Sequence, residues 1–170
     1  MGTALVTGAT SGIGEEFCWQ LAAAGHDLVL VARRDDTLRA LADSLANVAG
    51  VRAEVIAADL STDSGCARVA ARLDVGGPAD REKPDLAPVD LLVNNAGFGL
   101  GTDFLDNSLD NEINGLNVMV RAVMTLAHHA GISMRSRGRG AILNVGSVAS
   151  RTGAGTYSAH KAWVVAFTEG

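Results

Sequence analysis

Short apolar runs alternate with longer amphipathic segments along this chain. The apolar runs predict strands at residues 4–7, 28–32, 53–57, 90–93 and 141–145. Helical periodicity predicts helices near residues 13–24, 36–48, 64–73 and 106–135, and a last one from residue 157 onward. Because the strands are almost continuously apolar, we expect both of their faces to be buried. The pattern therefore predicts an α/β fold in which helices cover both faces of a parallel sheet.

Two further features refine this organisation. Within the first predicted helix, Ile13, Phe17, Leu21 and Ala24 recur at helical spacing and predict the side that faces the sheet. Residues 74–88, DVGGPADREKPDLAP, contain all three prolines of the chain and predict a surface loop, to which we assign no function.

Composition supports one folded domain over residues 1–170. A chain of 170 residues with 48% hydrophobic residues can bury a core without disulfides or metal. Its net charge is 14 − 19 = −5, which argues against a nucleic-acid partner. Cys18 and Cys66 are isolated, so we expect neither a metal site nor a disulfide, and a cytoplasmic location. No apolar segment resembles a signal peptide or a membrane span, so no membrane partner is expected.

A glycine-rich turn follows the first predicted strand and leads directly into the first helix. Glycines allow sharp turns and close approach to a phosphate, and helix amides stabilise its charge. At this place in a βαβ unit, the turn predicts dinucleotide binding, although a merely tight turn is the alternative. The residues concerned are Gly8, Thr10, Ser11, Gly12, Ile13 and Gly14.

Arginines stand where the second strand ends. Arg33 lies 33 − 14 = 19 residues beyond Gly14, and Arg34 follows it. An acidic residue at this distance binds the ribose hydroxyls of NAD, whereas arginine accommodates the 2′-phosphate of NADP. We therefore predict NADP(H) rather than NAD(H), the alternative being two arginines that only solvate a helix start.

Polar residues also follow the third and fourth strands. Asp59 and Leu60 are predicted beside the adenine, although Asp59 could equally cap the next helix. Asn95, Ala96 and Gly97 come after the fourth strand, at the sheet edge where such folds bind ligands. A simple polar turn is the alternative for this second group.

Tyr157 and Lys161 form the last pair. Residues four apart on a helix share a face, so the Lys161 ammonium would favour the phenolate form of Tyr157. Such a tyrosine can exchange a proton with an alcohol or a ketone. Taken alone, the pair could be an exposed contact without a function.

Together these motifs resemble the short-chain dehydrogenase/reductase family, over essentially the whole chain and in the expected order. The matching motifs are Thr7-Gly-x-x-x-Gly12-x-Gly14, Asp59-Leu60, Asn94-Asn95-Ala96-Gly97, Ser147 and Tyr157-x-x-x-Lys161. The resemblance implies a Rossmann-type doubly wound sheet, with strand order 3-2-1-4-5.

The resemblance also implies roles for the site residues. Tyr157 would be the general acid/base, and Lys161 would bind the nicotinamide ribose and activate Tyr157. Ser147 would hydrogen-bond the reacting carbonyl, although it precedes Tyr157 by only 157 − 147 = 10 residues and Ser150 lies close by. Asn117 matches the family's asparagine that holds a water near Lys161.

The predicted function is therefore hydride transfer between NADP(H) and a carbonyl or alcohol substrate. Family members continue beyond the fifth helix into two further strands and a lid over the substrate, whereas this sequence stops at Gly170. For the 170-residue chain we thus expect poor catalysis and self-association through the fourth and fifth helices. The alternative is a truncated, non-catalytic dinucleotide-binding or assembly module.

Overall fold

The computed structural model describes residues 2–78, 86–101 and 103–170. Its strands are β1 (Thr3–Thr7), β2 (Asp27–Ala32), β3 (Ala53–Ala57), β4 (Val89–Asn94) and β5 (Ala141–Asn144). Its α-helices are α1 (Gly12–Ala23), α2 (Asp35–Ala49), α3 (Asp63–Leu73), α4 (Leu109–Leu116), α5 (Ala122–Arg137) and α6 (Gly155–Glu169). A π-helical turn spans Asn117–Arg121, and a 3₁₀ turn spans Val148–Arg151.

The five strands form one parallel sheet in the order β3-β2-β1-β4-β5, which confirms the predicted order. The strands are buried on both faces at the sheet centre, since all five residues of β1 are buried. Helices α1 and α2 cover one face, where Val6 and Leu30 pack with Cys18 and Leu45. Helices α3 and α5 cover the other face. This doubly wound arrangement brings the carboxyl ends of β1 and β4 together at the reversal of strand order.

The sheet-facing side of α1 differs from the prediction by one residue. Gly14, Cys18 and Ala22 are buried, whereas Ile13 is 63% exposed. The cause is a close approach: a Cβ added at Gly14 would lie 2.1 Å from the carbonyl oxygen of Gly8. Gly14 must therefore face the β1 turn, and the residues four and eight positions on follow it inward. Phe17 and Leu21 pack at the flank, and Ala24 lies exposed beyond the helix.

The long helix predicted at residues 106–135 is a composite. It begins at Leu109, because Ser108 caps it by accepting a hydrogen bond from the Asn111 amide. The π-helical turn then separates α4 from α5, and the Ala122 amide donates to the carbonyl of Asn117. Such π-helical segments occur frequently at functional sites.

The predicted loop at residues 74–88 joins α3 to β4. Its described parts, 74–78 and 86–88, contain neither helix nor strand, and residues 79–85 lie outside the described residues. Within the described ranges, no helix combines the length and apolar character needed to cross a bilayer.

Candidate functional site

The ends of β1 and β4 are tied together by side chains. The Thr7 hydroxyl donates to the Val93 carbonyl at 3.3 Å and accepts from the amides of Asn95 and Ala96, each at 3.0 Å. The Asn95 side-chain amide donates back to the carbonyl of Thr7 at 3.0 Å. The structure therefore places the Asn95 side chain between the two strands, where it stabilises the sheet edge.

The glycine-rich turn leaves the start of α1 open. Gly8 and Gly12 have φ angles of +69° and +53°, which glycine adopts without strain. A Cβ added at Gly12 would meet no atom within 4 Å. Ser11 precedes α1, and its side chain does not cap the helix. The first-turn amides are therefore not occupied by this side chain and can bind an anion.

A cleft of about 640 Å³ opens at this sheet edge. Nine residues predicted to bind a cofactor line it: Gly8, Thr10, Ser11, Arg33, Arg34, Asp59, Leu60, Ala96 and Gly97. Six further residues line the cleft that were not predicted to bind a cofactor: Val31, Ala32, Ala58, Phe98, Asn114 and Val118. Val31, Ala32 and Ala58 lie at predicted strand ends, and Phe98 directly follows the Asn95-Ala96-Gly97 motif, so position alone could have found these four. Asn114 and Val118 come from the long helix, and no motif indicated them.

The predicted phosphate-binding arginines are exposed at the mouth of this cleft. Within the described part of the chain, neither Arg33 nor Arg34 forms a side-chain hydrogen bond or an ion pair. Both guanidinium groups are thus available to a ligand phosphate, which guanidinium binds in bidentate geometry.

Asp59 does not cap the following helix. The cap of α3 is Thr62, whose hydroxyl accepts from the Gly65 amide at 3.0 Å. Asp59 instead accepts from the amide and the hydroxyl of Ser61, at 2.9 and 2.8 Å. These hydrogen bonds, and secondarily the charge of Arg33, lower the pKa of Asp59. An ionised carboxylate therefore lies in the cleft wall.

Lys161 lies buried behind the same cleft. Only 6% of the residue is exposed, and its Nζ donates to the carbonyl of Val145 at 2.7 Å. Burial lowers the pKa of this ammonium. A Cβ added at Gly97 would lie 3.7 Å from Nζ, so the small residue at that position gives the ammonium room. Lys161 thus joins α6 to the segment that carries Ser147.

The other predicted catalytic residues lie on α6 or at the start of turns that pack against it. Tyr157 lies one helical turn before it, in the first turn of α6. Ser147 caps the 3₁₀ turn, and its hydroxyl accepts a hydrogen bond from the Ala149 amide at 3.2 Å. Asn117 begins the π-helical turn, against which α6 packs. The fold therefore brings segments separated by up to 44 positions, 161 − 117, into contact with one helix.

A second cleft, of about 870 Å³, opens in front of Tyr157. Leu100, Phe104, Glu112 and Thr156 contribute to its walls. It combines apolar side chains with the polar residues Glu112, Thr156 and Tyr157, a mixture typical of clefts that bind organic molecules. Glu112 and Thr156 belong to no motif, so nothing in the sequence pattern indicated them.

Comparisons with known proteins agree with this geometry. The family model described as short chain dehydrogenase matches residues 2–170, and the chain belongs to this family. It is 32% identical to an NADP-dependent 3-hydroxy acid dehydrogenase of Schizosaccharomyces pombe over 98% of its own length and 62% of the relative.

Solved structures of dehydrogenases have the same fold as this chain. A short-chain dehydrogenase from Sphingobium yanoikuyae in complex with NADPH is 34% identical with a TM-score of 0.90, and the match covers 99% of this chain and 64% of that one. A bulky-bulky ketone specific alcohol dehydrogenase from Comamonas testosteroni is 32% identical with a TM-score of 0.90, covering 99% and 65%. The chain spans less than two thirds of the length of these relatives.

Proposed function

We propose that this chain carries the cofactor site and the catalytic residues of an oxidoreductase that transfers hydride between NADP(H) and a carbonyl or alcohol. The observation that carries the proposal is the buried Lys161 ammonium, which lies beside Gly97 in the wall of the first cleft and one helical turn from Tyr157 in the wall of the second. A dinucleotide in the first cleft and a carbonyl compound in the second would meet beside these two residues.

The residues present fit NADP(H). The open first turn of α1 suits a pyrophosphate, and the exposed guanidinium groups of Arg33 and Arg34 suit a 2′-phosphate. Relatives described as NADP-dependent or in complex with NADPH support this choice over NAD(H). When bound, NADPH supplies the hydride.

The chain's own residues would manage the proton and the developing charge. Ser147 would donate a hydrogen bond to the substrate oxygen and polarise the carbonyl. Tyr157 would donate its proton to that oxygen as the alcohol forms. The Lys161 ammonium would stabilise the phenolate left behind. We assign to Asn117 the role of holding a water near Lys161, from its place in the π-helical turn packed against α6.

We also propose a cytoplasmic homo-oligomer. Apolar side chains on the long helix and α6 are partly exposed, including Met124 at 48% and Phe167 at 39%, and these can bury surface against a second copy. A reducing compartment agrees with Cys18 and Cys66, which are both free thiols.

A carbonyl screen tests the catalytic proposal. NADPH consumption is measured with a panel of neutral ketones and 3-oxo acids, for the wild type and for Tyr157→Phe. We expect turnover of at least one compound and its loss in the variant. Tight NADPH binding without turnover of any compound, or equal rates in the two proteins, would contradict the proposal.

A further inference from the structure

A buried carboxylate connects the second cleft to the helix that carries Tyr157. Glu112, on α4, is only 7% exposed. Its Oε2 accepts a hydrogen bond from the Thr156 hydroxyl, and its Oε1 accepts from the Asn107 side-chain amide at 2.6 Å. Thr156 is the residue immediately before Tyr157. One carboxylate therefore bridges the tyrosine helix and a wall of the cleft.

The network continues along that wall. The side-chain amide of Asn111 donates to Oδ1 of Asn107 at 3.0 Å and to the carbonyl of Leu100 at 3.3 Å. Leu100 lines the cleft in front of Tyr157. The hydrogen bonds thus run without interruption from the cleft surface to the first turn of α6.

The start of α6 has little other support. Residues 151–155 are exposed, and Ala154, which precedes the helix, provides no side-chain cap. The Thr152 and Ser158 hydroxyls lie 3.0 Å apart, but this contact joins the first turn only to the chain just before it. Among the described side chains, Thr156 donates the one hydrogen bond from this turn to another helix.

The charge of Glu112 determines the direction of these hydrogen bonds. Hydrogen bonds from Thr156 and then Asn107 lower the pKa of Glu112, so the group is ionised at neutral pH and only accepts. Both partners must then donate, and charge-assisted hydrogen bonds of this kind are shorter and stronger than neutral ones. The carboxylate also lies beside the positive end of α6, where negative charge is favourable.

We propose that Glu112 is a positioning residue for the reaction. Through Thr156 it holds the first turn of α6, and hence the Tyr157 hydroxyl, in place relative to the substrate cleft. Through Asn107 it joins that turn to the segment that lines the cleft. This inference rests on the proposed function, because it assigns Tyr157 the task of proton transfer.

The test compares Thr156→Val, which has nearly the same shape without the hydroxyl, with Thr156→Ser, which keeps the hydroxyl. Kinetics use NADPH and the ketone turned over fastest in the carbonyl screen. We expect Thr156→Val to lower kcat about tenfold through misplacement of the tyrosine, with the Kd for NADPH near that of the wild type. The Tm should fall only slightly, since one hydrogen bond is lost and the fold is kept. Thr156→Ser should restore kcat. Glu112→Gln, which has one acceptor oxygen instead of two, should lower kcat in the same way.

Amide hydrogen exchange gives a readout that needs no turnover. Exchange at residues 158–161, the first amides with partners inside α6, should be about tenfold faster in Thr156→Val than in the wild type, and normal in Thr156→Ser. Wild-type exchange or wild-type kcat in Thr156→Val, or failure of serine to restore them, would overturn the positioning role. If the wild type reduces no compound in the screen, the proposed function fails. Hydrogen exchange alone then shows whether the hydrogen bond between Thr156 and Glu112 holds the first turn of α6.

Discussion

Lys161 carries an ammonium although only 6% of the residue is exposed. Burying a charge destabilises the folded protein, so such a group is often retained because it binds a ligand or takes part in a reaction. Lys161→Met keeps most of the side-chain volume but removes the donor to Val145. We expect weaker NADPH binding together with slower turnover.

Tyr157→Phe, by contrast, should lower kcat by about 10²–10⁴ while NADPH affinity changes by less than about twofold. Titration of NADPH fluorescence with each variant, beside steady-state rates, separates the two effects. Unchanged NADPH affinity in Lys161→Met would contradict the dual role.

Arg33 is the residue on which cofactor choice is expected to depend. Its guanidinium is exposed at the cleft mouth. A charge-assisted hydrogen bond contributes about 1.5–3 kcal/mol, so Arg33→Ala should lower the preference for NADPH over NADH by at least about tenfold.

The matched control is Arg39→Ala, which removes the same charge from the outer surface of α2, where Arg39 pairs with Asp35. It should leave the preference unchanged. The preference is measured as the ratio of the Kd values for NADH and NADPH in each variant. An equal effect of the two substitutions would show that the preference depends only on the net charge of the protein.

At the scale of elements, the turn from β1 into α1 depends on the absence of a side chain at Gly14. Its added Cβ would lie 2.1 Å from a backbone oxygen, which cannot move without shifting the strand end. We expect Gly14→Ala to destabilise the fold by about 2 kcal/mol or more, in the range of overpacked cores. Gly131→Ala, within α5 with nothing near the new Cβ, should be stabilising by up to about 1 kcal/mol. Urea unfolding of the two variants measures the contrast.

The contact between α4 and α6 should depend on pH. The pKa of Glu112 is lowered below its ordinary 4.5 by the hydrogen bonds from Thr156 and Asn107, with His160 a smaller favourable charge. Its contribution to stability is therefore complete above 4.5 and is lost as pH falls through the lower, folded-state value. Glu112→Gln should be less stable than the wild type at neutral pH, and the difference should shrink in acid. Urea unfolding at neutral pH and near pH 3 tests this. A constant difference between the two proteins would show that ionisation of Glu112 does not contribute.

At the scale of the whole molecule, one edge of the sheet is β5, and half-exposed apolar residues lie beside it. Phe167 and Met124 line a groove there together with Ile142. We expect the 170-residue chain to self-associate through its long helix and α6, and Phe167→Glu to weaken this association because the charge would be buried. Val48→Glu, on α2 and itself 76% exposed, is the control and should change nothing. Sedimentation velocity over a concentration series measures the shift, and a monomer at all concentrations in the wild type would contradict the prediction.

The sequence by itself determined the strands and the glycine-rich turn into the first helix, whereas the strand order was implied by the resemblance to a known family. These features depend on local chemistry: continuous apolar runs mark strands buried on both faces, and glycine spacing marks a tight turn onto a helix. The four-residue spacing of Tyr157 and Lys161 likewise places both on one helix face without any knowledge of the fold. The arginines after β2 were predictable for the same reason, because a strand end defines their position.

Only the tertiary structure decided the contacts between distant segments. The buried side of α1 lies one residue from the predicted side, because Gly14 must approach Gly8. The spacing of hydrophobic residues gives no sign of this close approach. The tertiary structure also brought Asn114 and Val118 into the cofactor cleft, and it joined Glu112 to Thr156 across 44 positions. Such contacts depend on how helices pack against each other and against the sheet, and that packing is set by the summed shape of many side chains. No local pattern in the sequence records it.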